Sequence, residues 1–106
     1  MPKYLIKASY TAEGVKGVMK DGGTKRRQAA EAAVKSTGGT LEAFYFAFGD
    51  DDALVIVDAP DNASVAAASM AIGASGLVTA KTVVLLTAEE VDQAVKKGAT
   101  YTPPGR

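Results

Sequence analysis

The side chains available for chemistry in this sequence are carboxylates, lysines, arginines, hydroxyls and four tyrosines, because its 106 residues include neither histidine nor cysteine. A histidine general base, a Ser-His-Asp triad, a cysteine nucleophile, a His-ligated haem and the common zinc sites are therefore excluded from this chain. We expect no cofactor and no metal.

An aromatic cluster is the first candidate for a binding site. Tyr10 and Tyr45, with an alternating run of Phe44, Phe46 and Phe48, predict an apolar pocket between helices and sheet that would suit a flat, aromatic or polyketide-like ligand. The alternative is that these rings fill an ordinary core and a subunit interface, which aromatic residues also do.

Polar groups near this cluster would complete a ligand site. Asp52 is expected at the mouth of a strand, where its carboxylate could accept a hydrogen bond from a ligand. Lys7 or Lys81 could make a tyrosine hydroxyl a better proton donor to a developing oxyanion. We therefore name as candidate ligand-binding residues Tyr10, Tyr45, Phe46, Phe48, Asp52 and Lys81.

Three successive aspartates, Asp50, Asp51 and Asp52, raise the question of a divalent cation, because hard metals prefer carboxylate oxygens. Successive residues in a tight turn seldom converge on one point, however, and calcium loops place their ligands at alternate positions. We interpret the run as a polar hairpin turn, which Asp and Gly both suit.

A basic cluster follows a glycine pair in Gly22-Gly23-Thr24-Lys25-Arg26-Arg27. Free backbone N–H groups at a helix start attract anions, and basic side chains add to that attraction. We predict Thr24 as the N-cap of this helix and an anion-binding site at Thr24, Lys25, Arg26 and Arg27. The alternative is a solvated helix face on which Glu31 pairs with Arg27 four residues earlier.

The bulk composition is that of one soluble domain. Hydrophobic residues make up 47% of the chain, and twelve basic residues balance twelve acidic ones. A net charge of zero favours neither nucleic acid nor an anionic membrane as partner. No window reaches the roughly 20 apolar residues of a membrane helix, the N-terminus has no apolar core of signal-peptide length, and the lack of cysteine suits a reducing compartment. We expect a cytoplasmic protein.

Hydrophobic periodicity and turn signals predict the element order β-α-β-β-α-β with an extra C-terminal helix. The four strands are expected at residues 3–10, 40–48, 53–59 and 77–86, with the 49–52 turn closing a hairpin. Thr87 and Glu90 form a capping box at the start of the last helix, and residues 99–106 are expected to be irregular. The order predicts a single α+β domain of ferredoxin-like topology over residues 1–98, with a four-stranded antiparallel sheet.

The strands are apolar on both faces, which a sheet open to water on one side should not be. In the second strand, strict alternation puts Phe44, Phe46 and Phe48 on one face and Leu41, Ala43, Tyr45 and Ala47 on the other. Two crossover helices cover only one face, and the other would expose a large apolar patch. We therefore predict a homodimer or higher homo-oligomer that packs sheet to sheet, a dimeric α+β barrel. The alternative is that the C-terminal helix covers that face within one chain.

Three stretches resemble the bacterial GYD-domain family: residues 2–14 (PKYLIKASYTAEG), 41–50 (LEAFYFAFGD) and 81–87 (KTVVLLT). The family takes its name from a Gly-Tyr-Asp element in the hairpin turn. Here Gly49 and Asp52 match, and Asp51 stands where the family has tyrosine. The resemblance implies the dimeric α+β barrel fold, and it implies little about activity because the family is largely uncharacterised.

Two functional hypotheses follow from the residues. The first is a module that binds a small molecule, regulates a partner or assists assembly, since no convergent catalytic groups are recognisable. The second is a cofactor-independent monooxygenase or isomerase that acts on an apolar or aromatic substrate with Tyr and Lys. A purely structural oligomer is the third reading.

Overall fold

The computed structural model describes all 106 residues and contains four strands and four helices. In chain order they are β1 (Lys3–Tyr10), α1 (Ala12–Asp21), α2 (Gly23–Ser36), β2 (Thr40–Phe46), β3 (Ala53–Asp58), α3 (Asn62–Ala74), β4 (Val78–Leu85) and α4 (Ala88–Lys97). The predicted α+β class, ferredoxin-like order and extra C-terminal helix are confirmed. Residues 99–106 form neither helix nor strand.

The strands form one antiparallel sheet in the order β2-β3-β1-β4. β1 lies in the middle, where Leu5 is opposite Ile56 of β3 on one side and Val83 of β4 on the other. β2 pairs with the outer side of β3. This arrangement leaves β2 and β4 as the sheet edges.

The hydrophobic core lies between the sheet and the α2 and α3 helices. Tyr4, Ile6, Val55 and Val57 project from the two central strands and are buried, and Val34 and Val65 are among the helical residues that cover them. Because successive side chains of a strand alternate between faces, these positions define the helix face of the sheet. The hydroxyl of Tyr4 donates a 2.5 Å hydrogen bond to Asn62 Oδ1, which satisfies the polar end of a side chain that is only 1% exposed.

The prediction that Thr24 caps α2 is wrong. Gly22, at φ +83°, ends α1 by donating its N–H to the Val18 carbonyl and is also the N-cap of α2, which has no side-chain capping bond. A glycine that reaches the left-handed region lets the chain turn between two helices without a linker, so Thr24 lies inside α2. The predicted capping box of Thr87 and Glu90 at the start of α4 is confirmed.

The face assignment of β2 also needs a correction. The register shifts between Leu41 and Ala43, so that Leu41 is opposite Val57 and Phe44 is opposite Val55. A bulge places two residues against one and reverses the alternation beyond it. Leu41 and Phe44 therefore share the helix face, whereas strict alternation predicts opposite faces for them. β2 also ends at Phe46, two residues earlier than predicted.

α4 stands apart from the core. It is amphipathic but none of its residues is buried, and Val91 and Val95 are exposed. The radius of gyration of 16.7 Å exceeds the roughly 13 Å of a compact 100-residue domain. The alternative in which α4 covers the sheet within one chain is therefore not what the structure shows. No helix has both the length and the apolar character needed to cross a membrane.

Candidate functional site

A cleft of about 460 Å³ opens on the helix side of the sheet, between α1, the start of α2 and the end of the β2–β3 hairpin. Its apolar lining consists of Tyr10, Val15, Val18, Phe46, Ala47 and Phe48, and Gly23 and Asp52 complete it. The volume lies in the range of small-molecule sites, which are mostly apolar with a few polar groups. The cleft is therefore the candidate binding site.

Asp52 is fixed by three hydrogen bonds at the end of the hairpin. Its N–H donates to the Ala8 carbonyl over 2.8 Å, and its carbonyl accepts from the Ala47 N–H over 2.8 Å. Its carboxylate Oδ2 accepts from the Tyr10 backbone N–H over 2.8 Å. The side chain thereby satisfies the last N–H of β1, which lies beyond the β1–β3 pairing that ends at Ala8 and Ala53.

Two rings make one wall of the cleft. Phe46 is held by an edge-to-face contact with Phe44, with ring centroids 5.2 Å apart and an interplanar angle of 74°. Phe46 also lies against α2, since a Cβ built on Gly23 would be 3.0 Å from its ring. Phe48, by contrast, is fully exposed. The wall therefore has one fixed ring and one free ring.

A smaller cavity of about 90 Å³ lies beneath α2, and Tyr10 lines both cavities. Its lining is apolar except for Arg26, and it includes Phe44 and Ile72. It is too small for a ligand of the size that the cleft would hold.

The structure brings together four of the six predicted ligand-binding residues. Tyr10, Phe46, Phe48 and Asp52 line the cleft. Tyr45 and Lys81 lie on the opposite face of the sheet, because Tyr45 is opposite Leu54, Leu54 is opposite Lys7, and Lys7 is opposite Lys81. Neither Tyr45 nor Lys81 contributes to the cleft.

The predicted anion-binding residues occupy the first turns of α2. Arg26 is half-buried and forms an ion pair with Asp21 at 3.8 Å, whereas Lys25 and Arg27 are exposed and have no carboxylate partner. The pair of Arg27 with Glu31, which the alternative interpretation would include, does not form. None of Thr24, Lys25, Arg26 and Arg27 lines the cleft, although Gly23 immediately before them does.

Val15, Val18 and Ala47 are lining residues that the sequence interpretation did not assign to a site. The signal for Val15 and Val18 was present, since their i, i+3 spacing on α1 marks one helix face. The spacing does not show that this face lies opposite Phe46 and Phe48 and not against the core. The aspartates at 50 to 52 do not form an acidic cluster able to hold a metal ion.

The face opposite the helices, which we call the open face, is crossed by two rows of side chains. One row is apolar across all four strands and consists of Ala43, Ile56, Leu5 and Val83. The next row consists of Tyr45, Leu54, Lys7 and Lys81. None of these eight residues is buried, and no helix lies over them.

One end of the open face carries an ion network. Lys3 Nζ lies 2.6 Å from Glu42 Oε2 and 2.9 Å from Asp58 Oδ1. Hydrogen bonds to Glu42 and then Asp58 raise the pKa of the Lys3 ammonium above its usual value. Elsewhere, the Ser64 hydroxyl and backbone N–H both donate to Asp61 at the start of α3 and lower the pKa of that carboxyl. Neither group faces the cleft.

Comparison with known proteins adds a family. No curated protein and no solved structure matches the chain. The family model described as GYD domain matches residues 4–95, which include every residue of the sheet except Lys3 and every residue that lines the cleft. The chain therefore belongs to the GYD domain family.

Proposed function

We propose that this protein is a small-molecule-binding module that acts as a homodimer, with its ligand in the cleft and its subunits joined through the open faces of their sheets. The observation that carries the proposal is the placement of an aromatic cleft and an uncovered apolar sheet face on opposite sides of one sheet. Because they are on opposite sides, dimerisation leaves the cleft accessible.

The open face supports the dimer because it is apolar without a cover. Its central row of Ala43, Ile56, Leu5 and Val83 runs from one sheet edge to the other. Monomers rarely expose contiguous apolar patches of more than a few hundred Å². Two such sheets pack face to face in known folds at a spacing of about 10 Å, and a two-fold axis would make the contact self-complementary.

The cleft supports ligand binding because it offers ring surface that nothing in the chain fills. Phe48 is fully exposed and Phe46 is 39% exposed, which is costly for side chains of this size unless something covers them. A small apolar molecule would cover both rings at once. We place this dimer in the cytoplasm, since a chain without cysteine needs no oxidising compartment, and we assign it no nucleic-acid or membrane partner.

Sedimentation of a matched pair of variants tests the dimer. Ile56→Glu puts a charge in the middle of the open face, and Met70→Glu puts the same charge at an exposed position of α3. We expect wild type and Met70→Glu to sediment as dimers and Ile56→Glu as a monomer. A wild type that remains monomeric at high micromolar concentration would remove the dimer from the proposal.

Binding of the neutral dye Nile red, read by fluorescence, tests the cleft. Phe48→Ala removes a ring without touching the core, and Leu86→Ala is the control, an exposed apolar residue outside the cleft. We expect Phe48→Ala to bind the dye roughly two- to tenfold more weakly, as the loss of one aromatic contact implies. Equal binding by both variants would place the dye, and the proposed site, elsewhere.

The alternative function, a cofactor-independent monooxygenase or isomerase, has less support. It needs a lysine beside a tyrosine at the substrate. Tyr10 is the tyrosine of the cleft, and Lys7 and Lys81 lie on the open face. The cleft therefore offers an aromatic surface and one carboxylate, which suits binding more than proton donation.

A further inference from the structure

The charges around the cleft restrict the ligand further. Asp52 is the one ionisable side chain with formal negative charge among its lining residues, and no lysine or arginine lines it. A ligand carboxylate or phosphate placed in the cleft would lie near the Asp52 carboxylate with no side-chain cation to balance the two charges. The lining therefore disfavours an anionic ligand.

The Asp52 carboxylate has unused acceptor capacity. Oδ2 accepts the Tyr10 N–H, and Oδ1 has no hydrogen-bond partner within the chain. A carboxylate offers about four acceptor positions, and hydrogen bonds to a charged group are among the stronger ones in proteins. The backbone bonds of Asp52 to Ala8 and Ala47 and its side-chain bond to the Tyr10 N–H hold this carboxylate in the cleft lining.

The aromatic residues of the cleft also favour an apolar or cationic ligand over an anionic one. Tyr10, Phe46 and Phe48 provide aromatic surface, and aromatic rings attract flat apolar groups and, over their faces, cations. The opposing influence is the N-terminus of α2 at Gly23, whose positive end attracts anions. The basic side chains of this helix start, Lys25, Arg26 and Arg27, do not line the cleft. Only the helix N-terminus itself therefore attracts an anion to the cleft.

We infer that the cleft takes a planar, apolar ligand that carries a hydrogen-bond donor, above all a protonated amine, and that Asp52 receives this donor. This inference rests on the proposed function and specifies the ligand class of the same site. Phe46 and Phe48 contact the flat part of the ligand, and Asp52 selects its polar end. Carboxylates and phosphates of the same shape are rejected.

Three probes of one shape test the inference at pH 7: 2-(aminomethyl)naphthalene, 2-naphthol and 2-naphthoate. Their dissociation constants are measured by titration of the isotope-labelled protein, with amide shifts as the readout. We expect the amine to bind about tenfold more tightly than the carboxylate, the naphthol to lie between them, and the shifted amides to include Tyr10, Phe46 and Phe48.

The variant Asp52→Asn keeps an amide oxygen for the Tyr10 N–H and removes the charge. Asp50→Asn is the matched control, because Asp50 is an exposed neighbour in the same turn and does not line the cleft. The preference for the amine should disappear in Asp52→Asn and persist in Asp50→Asn.

The possible outcomes distinguish the inference about ligand charge from the proposed ligand site. If the carboxylate binds as tightly as the amine or more tightly, with the same amides shifted, the cleft binds ligands but the charge inference is overturned. If no probe shifts the cleft amides, both the inference and the proposed ligand site are overturned.

Discussion

The Asp52 carboxylate accepts the backbone N–H of Tyr10 over 2.8 Å and so joins the end of the hairpin to the end of the central strand. Both residues also line the cleft. One hydrogen bond thus links the backbone of Tyr10, whose ring lines the cleft, to the carboxylate of the cleft. The same residue that would recognise a ligand is part of the framework that holds the cleft open.

This relationship predicts different costs for two substitutions at Asp52. Asp52→Ala leaves the Tyr10 N–H without its acceptor and should lower the free energy of unfolding by about 1–3 kcal/mol. Asp52→Asn retains an acceptor oxygen and should cost less than about 1 kcal/mol. Urea unfolding followed by circular dichroism measures both. Equal losses for the two variants would show that the Tyr10 bond is not what Asp52 contributes to stability.

A close approach of α1 to the start of β4 predicts that Gly14 is irreplaceable. A Cβ built on Gly14 would overlap the Leu77 carbonyl oxygen, whereas a Cβ on Gly17 in the same helix meets nothing within 4 Å. Gly14→Ala should lower the free energy of unfolding by about 1–3 kcal/mol or more because backbone must move. Gly17→Ala should be neutral or stabilising by up to about 1 kcal/mol. Similar melting temperatures for the two variants would contradict this close packing of α1 against the start of β4.

The cap of α3 predicts a pH dependence. Because the pKa of Asp61 is lowered in the folded state from its ordinary 3.8, its charged form stabilises the fold above pH 3.8, and this contribution disappears as the pH falls through the folded value. Asp61→Asn keeps an uncharged cap oxygen. The melting temperature of wild type should exceed that of Asp61→Asn at pH 6, and the difference should shrink as the pH falls below 3.8 through the lowered pKa of Asp61. A constant difference over this range would contradict the assignment.

The facing lysines of the open face predict an unusual gain of stability. Lys7 and Lys81 are directly opposite each other on neighbouring strands, and neither forms an ion pair. Like charges in this relation are destabilising, and opposite charges stabilise by about 0.2–1 kcal/mol. In the monomeric Ile56→Glu background, where no partner covers this face, Lys81→Glu should therefore raise the stability, with Lys81→Gln intermediate, at low salt. The ranking should shrink at 0.5 M salt, and a Lys81→Glu variant less stable than Lys81→Gln would refute it.

Local sequence patterns predict much of the fold. The periodicity of Lys3–Tyr10 and the capping box of Thr87 and Glu90 predict elements that the structure contains. The order of the elements then leaves few topologies for the sheet. The interior of β2 is different, because its bulge depends on which β3 residue each β2 residue meets. Leu41 and Phe44 share a face only because both pair with buried valines of β3, and no local pattern states that pairing.

The candidate site, too, is only partly predictable from local sequence signals. Tyr10, Phe46, Phe48 and Asp52 are recognisable by type, and the hairpin brings them to one end of the sheet. Tyr45 and Lys81 are of equally suitable type but lie on the other face, which follows from the sheet register alone. Thr24 is a good N-cap residue by type. The cap is instead Gly22, two residues before it, which ends α1 and begins α2. Residue type thus identifies candidates, and the register decides which of them meet.

The most direct measurement of the central claim is native mass spectrometry of the protein purified from its own host. We expect twice the 10.8 kDa chain mass, with an additional small-molecule mass that is more abundant on wild type than on Phe48→Ala. A wild-type species of one chain mass at high micromolar concentration, carrying no additional small-molecule mass, would contradict both the dimer and the bound ligand.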